Sequence, residues 1–315
     1  MQRNERQTVS YLKRRFDQVG MAPDTRHGQN FLVDLNLIQL LADSAEIGPN
    51  DVVLEIGTGM GSLTAMLAAK AARVITVEID EHLHQLAREE LEPFENIQML
   101  QLDALRNKNN FADTVIEAVE AAMEEVPGRQ FKLAANLPYN IATPVISNLL
   151  LWKTVPARMT VTIQKELGER IVAVPSTREY GSLSVWIQSQ CAARIVRIMP
   201  PSVFWPRPKV DSAIVDIRLQ PERRQQIPDV RYFHSFMRKM FFHRRKFLRS
   251  VAISGFKDQL GKPEVDEVLA KMGLGPDARS EQLSVDQMLQ LSELFRQKVL
   301  EMTGQAEPDA TDADD

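Results

Sequence analysis

Between residues 51 and 164, short apolar runs alternate with stretches of helical spacing, and this alternation constrains the fold more than any other feature. "DVVLEIG" (51–57), "RVITVEID" (73–80), "IQMLQLD" (97–103), "FKLAAN" (131–136) and "RMTVTIQ" (158–164) each read as a buried strand. "GSLTAMLAAKA" (61–71), "EHLHQLAREELEP" (81–93) and "ATPVISNLLLW" (142–152) read as helices, the last with Pro144 near its start, where a missing N–H costs least. Strands separated by helices of this length pack as βαβ units around a parallel sheet. "AARIVRIMP" (192–200) and "VDSAIVDIRLQP" (210–221) add two strands around a proline-rich loop. The expectation is an α/β fold: a mostly parallel seven-stranded sheet with flanking helices.

The flanks are less regular. "SYLKRRFDQVG" (10–20) carries Leu12, Phe16 and Val19 at helical spacing, and "FLVDLNLIQLLADSAEI" (31–47) reads as one helix. The long connection 104–130 holds Phe111, Val115, Ile116, Val119 and Met123, taken here as the stripe of an extra amphipathic helix. After Pro221 the chain reads helical to about residue 300. The expected organisation is an N-terminal arm (1–25), an α/β domain (26–220), a small all-helical domain (221–300) and an acidic disordered tail (301–315).

Charge is uneven. The formal net charge is −4, yet residues 197–250 hold thirteen Lys/Arg against four Asp/Glu, while residues 301–315 hold six acidic residues and no basic one. The average hides a basic segment that suits phosphate contacts, although a solvated helical surface would look the same. One cysteine, Cys191, excludes an internal disulfide or a cysteine-based zinc cluster, and its expected role is that of a small buried hydrophobe. The five histidines show no metal-ligand spacing, so no metal is expected. No apolar stretch approaches the roughly 18 residues of a membrane span, and the polar start does not read as a secretory signal. A cytoplasmic location and a monomer are the expectations.

The loop "VLEIGTGMGSLT" (53–64) places Gly57, Gly59 and Gly61 between a strand and a helix. Glycine permits close backbone approach to a ligand there, although glycines at such turns also serve structure alone. Glu78 ends the next strand, where a carboxylate can accept from both hydroxyls of a ribose. Asp103 ends the strand after that, within reach of an adenine amino group. Three strand ends thus suit a nucleoside-containing cofactor. NAD and S-adenosylmethionine both fit this much. The spacing departs from the dinucleotide fingerprint, and Glu55 suits the charged amino-acid end of a sulfonium cofactor better than a pyrophosphate.

The fourth strand stops on "NLPY" (136–139), a string that resembles the catalytic motif of amino-group methyltransferases. The fuller "ANLPYNIATPVISNLL" resembles the ribosomal RNA adenine dimethyltransferases. So do "HGQNFLVD" (27–34), "LEIGTGMGSLT", "VEID" (77–80), "LDAL" (102–105), "IQKELGERIVAVPSTREYGSLSV" (163–185), "PPSVFWPRPKVDSAIV" (200–215) and "FFHRRKFLRS" (241–250), a likeness that spans about residues 22–250. The chain departs from the family pattern in Thr58, in His243 and Phe247, in its longer 104–130 connection and in its acidic tail.

The resemblance implies a Rossmann-like class I methyltransferase that uses S-adenosyl-L-methionine. Its expected reaction is methylation of N6 on two adjacent adenosines near the 3′ end of small-subunit rRNA, within an immature 30S-type subunit, giving N6,N6-dimethyladenosine. It implies cofactor contacts at Gln29, Asn30, Leu32, Gly57, Gly59, Glu78, Asp103, Ala104 and Asn136. For Gln29 and Asn30, composition alone favours ordinary capping and loop bonding. Asn136 and the Leu137 carbonyl would accept hydrogen bonds from the target amine, Pro138 would stiffen the turn, and Tyr139 and Phe204 would stack on a flipped base. Phosphate contacts would fall to Arg207, Lys209, Arg244, Arg245, Lys246 and Arg249, with Arg26 near the site. The competing readings are methylation of another adenine, in large-subunit rRNA or DNA, a non-catalytic role in small-subunit assembly, and an NAD enzyme.

Overall fold

A computed structural model describes residues 8–18, 20, 22–23, 29–244 and 246–304. Val19, Arg26, His27, Arg245 and the acidic tail beyond residue 304, all singled out above, lie outside the described residues. In chain order the elements begin with α1 (Val9–Gln18), β1 (Phe31–Leu32), α2 (Leu35–Ser44), β2 (Asp51–Ile56), α3 (Ser62–Ala68), β3 (Arg73–Glu78), α4 (Glu81–Leu91) and β4 (Ile97–Gln101). There follow β5 (Leu105–Asn107), β6 (Asn110–Phe111), α5 (Asp113–Glu124), β7 (Gln130–Asn136), α6 (Ala142–Leu149), β8 (Arg158–Gln164), α7 (Lys165–Ile171) and α8 (Ser182–Gln188). The chain continues through β9 (Cys191–Met199), β10 (Phe204–Trp205), β11 (Ser212–Leu219) and α9 (Pro221–Arg224). It ends in α10 (Val230–Phe241), α11 (Leu248–Gly255), α12 (Lys262–Lys271) and α13 (Val285–Thr303).

Two compact units result. One gathers the described residues up to Gly168 with Arg194–Arg218; the other joins Glu169–Ala193 to the described residues from Leu219 onward. The first unit is built on a seven-stranded sheet of order β4-β3-β2-β7-β8-β11-β9. β3 and β7 flank β2 in parallel, β4 joins β3 and β8 joins β7 in the same sense, whereas β11 runs antiparallel to β8. The sheet is therefore mixed, because β11 returns from the proline-rich loop rather than through a crossover helix. Every residue of β2 is buried, as expected of a strand covered on both faces. The order reverses between β2 and β7, so the ends of β2, β3 and β7 open on a switch-point crevice.

Two local readings change. "FLVDLNLIQLLADSAEI" is not one helix: Phe31 and Leu32 pair with Trp205 and Phe204 as a two-residue ribbon. α2 starts only after Asp34, whose carboxylate accepts from the N–H groups of Asn36 and Leu37 and so caps it. In the long connection, Phe111 belongs to a hairpin, β5–β6, and only the segment after it is helical. Phe111 is buried with its ring edge-on to Trp152, at 4.7 Å between centroids.

The second unit is helical. Phe236, Phe256 and Phe295 meet across α10, the end of α11 and α13, the last two stacked at 4.6 Å. The Tyr180 hydroxyl donates to the Leu283 carbonyl, which ties the Tyr-Gly turn to the start of α13.

Candidate active site

The site is assembled from strand ends. At the end of β2, Gly57 has φ +86°, and a Cβ there would sit 3.5 Å from Pro138 and 3.6 Å from the Asn136 carbonyl. A Cβ would fit at those distances, so it is the left-handed φ, not lack of space, that favours glycine here. At Gly59, also left-handed at φ +55°, the backbone N–H donates to Glu78 Oε2 at 2.9 Å. Glu78 Oε1 accepts from the Asp80 N–H at 3.1 Å. One carboxylate at the end of β3 therefore fixes the glycine loop and its own turn. Burial lifts the Glu78 carboxyl above its ordinary range, against the pull of those backbone donors. Gln29 Nε2 donates to Asp80, the N-cap of α4, which draws the segment before β1 across the same crevice.

These ends surround a cavity of about 250 Å³. Gln29, Asn30, Gly57, Gly59, Glu78 and Asp103 line it, as do Ala104, Asn136 and Pro138. Asp103 is exposed and gives one oxygen to the Leu105 N–H. Leu32 lines a smaller adjoining space of about 60 Å³, with Glu55. The sequence reading missed the apolar walls: Phe31, Ile79, Leu83, Leu102 and Ile141. Ile79 is a large apolar residue left 43% exposed directly after the strand-end acid, a feature that only the folded chain reveals. Asn140 also lines the cavity, so "NIATP" forms part of the wall as well as a helix start.

Asn136 is the chemical centre of this arrangement. Its Nδ2 donates to the Asn30 carbonyl at 3.0 Å, while its Oδ1 is buried with no hydrogen-bond partner among the described residues. A buried acceptor left bare costs roughly 1–3 kcal/mol, a cost that a donor from outside the chain would relieve. Leu137 donates its N–H to the Thr162 carbonyl and buries its side chain, so only its backbone can serve a ligand. The Tyr139 hydroxyl bonds Ser212 Oγ at 2.6 Å, which pins the ring by its far end.

Other candidate residues do not line this cavity. Phe204 is buried in the core with Leu32, within β10, and does not line the cavity. Trp205 packs on Phe31 and against Phe16. Glu55 is fully buried and accepts from Thr64 Oγ1 at 2.6 Å and Thr76 Oγ1 at 2.7 Å. Burial raises its carboxyl to about 8, so it is mostly neutral at pH 7 rather than a ready anion for an ammonium group. Arg207 and Lys209 are exposed. In the helical unit, Arg244 is spent on Glu281 and on the Thr177 and Arg178 carbonyls, and Arg249 forms a two-pronged pair with Asp266. Lys246 is exposed, next to an exposed Phe247 whose ring lies under Arg279.

A ribosomal RNA adenine dimethylase profile matches residues 22–297. The chain belongs to the ribosomal RNA adenine dimethylase family. A relative from Caldanaerobacter subterraneus subsp. tengcongensis, "Ribosomal RNA small subunit methyltransferase A", is 37% identical over 273 residues, 86% of this chain and 97% of the relative. Among solved structures, a dimethyladenosine transferase from Plasmodium falciparum superposes with a TM-score of 0.68 at 24% identity, over 84% of this chain and 97% of that one. The 23S rRNA methyltransferase ErmE superposes with a TM-score of 0.57 at 25% identity, over 84% and 98%. Membership in the rRNA adenine dimethylase family supports adenine-N6 methylation of rRNA as the activity. It also implies a fold that binds S-adenosylmethionine.

Proposed function

We propose that the chain dimethylates N6 of two adjacent adenosines near the 3′ end of small-subunit rRNA, in the cytoplasm, as a monomer acting on an immature small subunit. The observation that carries the reaction is the bare Oδ1 of Asn136 in a cavity whose other strand ends suit a nucleoside. The choice of small-subunit rRNA rests on the "HGQNFLVD" and "FWPRPKVDS" strings and on relatives named for that substrate.

The residues present fit S-adenosylmethionine. Glu78 would take the ribose hydroxyls, Asp103 the adenine amino group, and Ile79 and Leu102 the faces of the base. When bound, the cofactor supplies an electrophilic methyl group on a good leaving group. The chain's task is to orient the target amine and favour release of its lone pair from the ring. Asn136 Oδ1 and the Leu137 carbonyl accept from the amino hydrogens, and they act most strongly as charge grows on nitrogen. The Tyr139 ring, held through Ser212, offers a stacking face to an unpaired base. Asn136 is a neutral amide and takes no proton; the proton leaves to solvent. Arg207, Lys209 and Lys246 would meet phosphates.

The test is to map N6,N6-dimethyladenosine in rRNA from cells lacking the gene and from complemented cells. Loss and return of the mark in small-subunit rRNA supports the reading. Loss in large-subunit rRNA alone, the substrate named for ErmE, would replace it.

A further inference from the structure

The helical unit contains a cavity of its own, of about 230 Å³, between the segment leading into α10 and one face of α13. Ile227, Pro228 and Leu289 give it apolar walls, and Tyr232, Asp229 and Asp286 give it polar ones.

Two features set it apart from an ordinary surface dent. Tyr232 is only 6% exposed, and its hydroxyl is buried with no hydrogen-bond partner among the described residues. Buried hydroxyls are seldom left so, because the cost approaches that of a lost hydrogen bond. The charges are also unbalanced. Arg296 neutralises Glu293 through two contacts of 2.8 Å. Asp229 accepts from the Tyr232 N–H as the α10 cap and also feels the charge of Arg296, while Asp286 lies exposed in the first turn of α13. The lining thus carries three carboxylates against one guanidinium, one bare hydroxyl and an apolar wall.

We propose that this cavity is a binding site for a primary ammonium group on a short alkyl stem. An ammonium has three donors and no acceptor, which matches two carboxylates and a hydroxyl oxygen, and the stem matches the apolar wall. A free diamine and a lysine side chain share this chemistry. The site is independent of the methyl-transfer reading, since none of its residues lines the catalytic cavity.

Calorimetry on the full chain at pH 7 and low salt tests this, with 1,4-diaminobutane and N-acetyl-lysine amide as probes and inorganic phosphate as a control. Saturable one-to-one binding of either amine is expected, and the amine that binds identifies the source. Tyr232→Phe and Asp229→Asn should each weaken it about tenfold or more. Asparagine still caps α10, and Tyr232→Phe removes only an unpaired hydroxyl, so both variants should melt no earlier than the parent. The proposal is overturned if neither amine saturates, if phosphate binds instead, or if both variants bind as the parent does. The last result would assign amine binding to acidic residues elsewhere.

Discussion

Asn136 and Asn30 lock one another: the Asn136 amide NH₂ donates to the Asn30 carbonyl at 3.0 Å, which turns the amide oxygen away, bare and buried. The segment before β1 therefore sets which end of the Asn136 amide is left without a partner. An acceptor fixed in advance costs no reorganisation when charge develops on the substrate nitrogen.

Asn136→Ala should lower turnover by roughly 10²–10³-fold, the usual effect of deleting one preorganised group that stabilises developing charge. S-adenosylmethionine affinity, measured by calorimetry, should change far less. Asn136→Asp should not rescue turnover, although it supplies acceptors, because a carboxylate has no hydrogen for the Asn30 carbonyl. Recovery in the aspartate variant would show that the lock is dispensable.

Glu78→Gln should weaken S-adenosylmethionine binding by about 10–100-fold, the scale of a lost charge-assisted hydrogen bond plus a loosened loop. Glutamine has one acceptor oxygen, yet Glu78 serves Gly59, Asp80 and the proposed ribose. Calorimetry with the variant reads this directly.

Glu55 makes stability depend on pH. Its folded carboxyl titrates at about 8 and its ordinary value is 4.5. Between those values the folded chain holds a proton that the unfolded chain has released, so this contribution is full below pH 4.5 and is lost as pH rises toward 8. Glu55→Gln should flatten that part of the melting-temperature profile and melt later than the parent above pH 8. An unchanged slope would mean that Glu55 is not held neutral.

Arg244 and Lys246 should separate structure from RNA contact. Arg244→Ala should cost about 1–3 kcal/mol of stability, because its fork joins Glu281 to the 177–178 carbonyls. Lys246→Glu should leave stability within about 0.5 kcal/mol, while weakening small-subunit binding and reducing its salt dependence. Denaturant unfolding and filter binding at several salt concentrations distinguish the two.

What the sequence made legible was local. The glycine turn, Glu78, Asp103 and Asn136 each follow a strand whose apolar run is visible, and a strand's end fixes where its last side chain lies. Ile79 follows β3, Asn140 follows β7 and Phe31 belongs to β1, segments that only the fold brings together, so no single stretch reveals them. The pairs β1–β10 and β5–β6 escape a reading by pattern because strands of two or three residues show no periodicity. Phe204 reads as an available ring in "PPSVFWP", yet pairing with Leu32 turns it into core. The partners of Arg244 and Arg249, Glu281 and Asp266, come from distant stretches that no local reading pairs with them.

The most direct test is transfer of labelled methyl from S-adenosylmethionine to purified immature small subunits, followed by nucleoside analysis. The account predicts N6,N6-dimethyladenosine at two adjacent positions with the parent chain, and almost none with Asn136→Ala despite retained cofactor binding. Equal yield from the two proteins would contradict it.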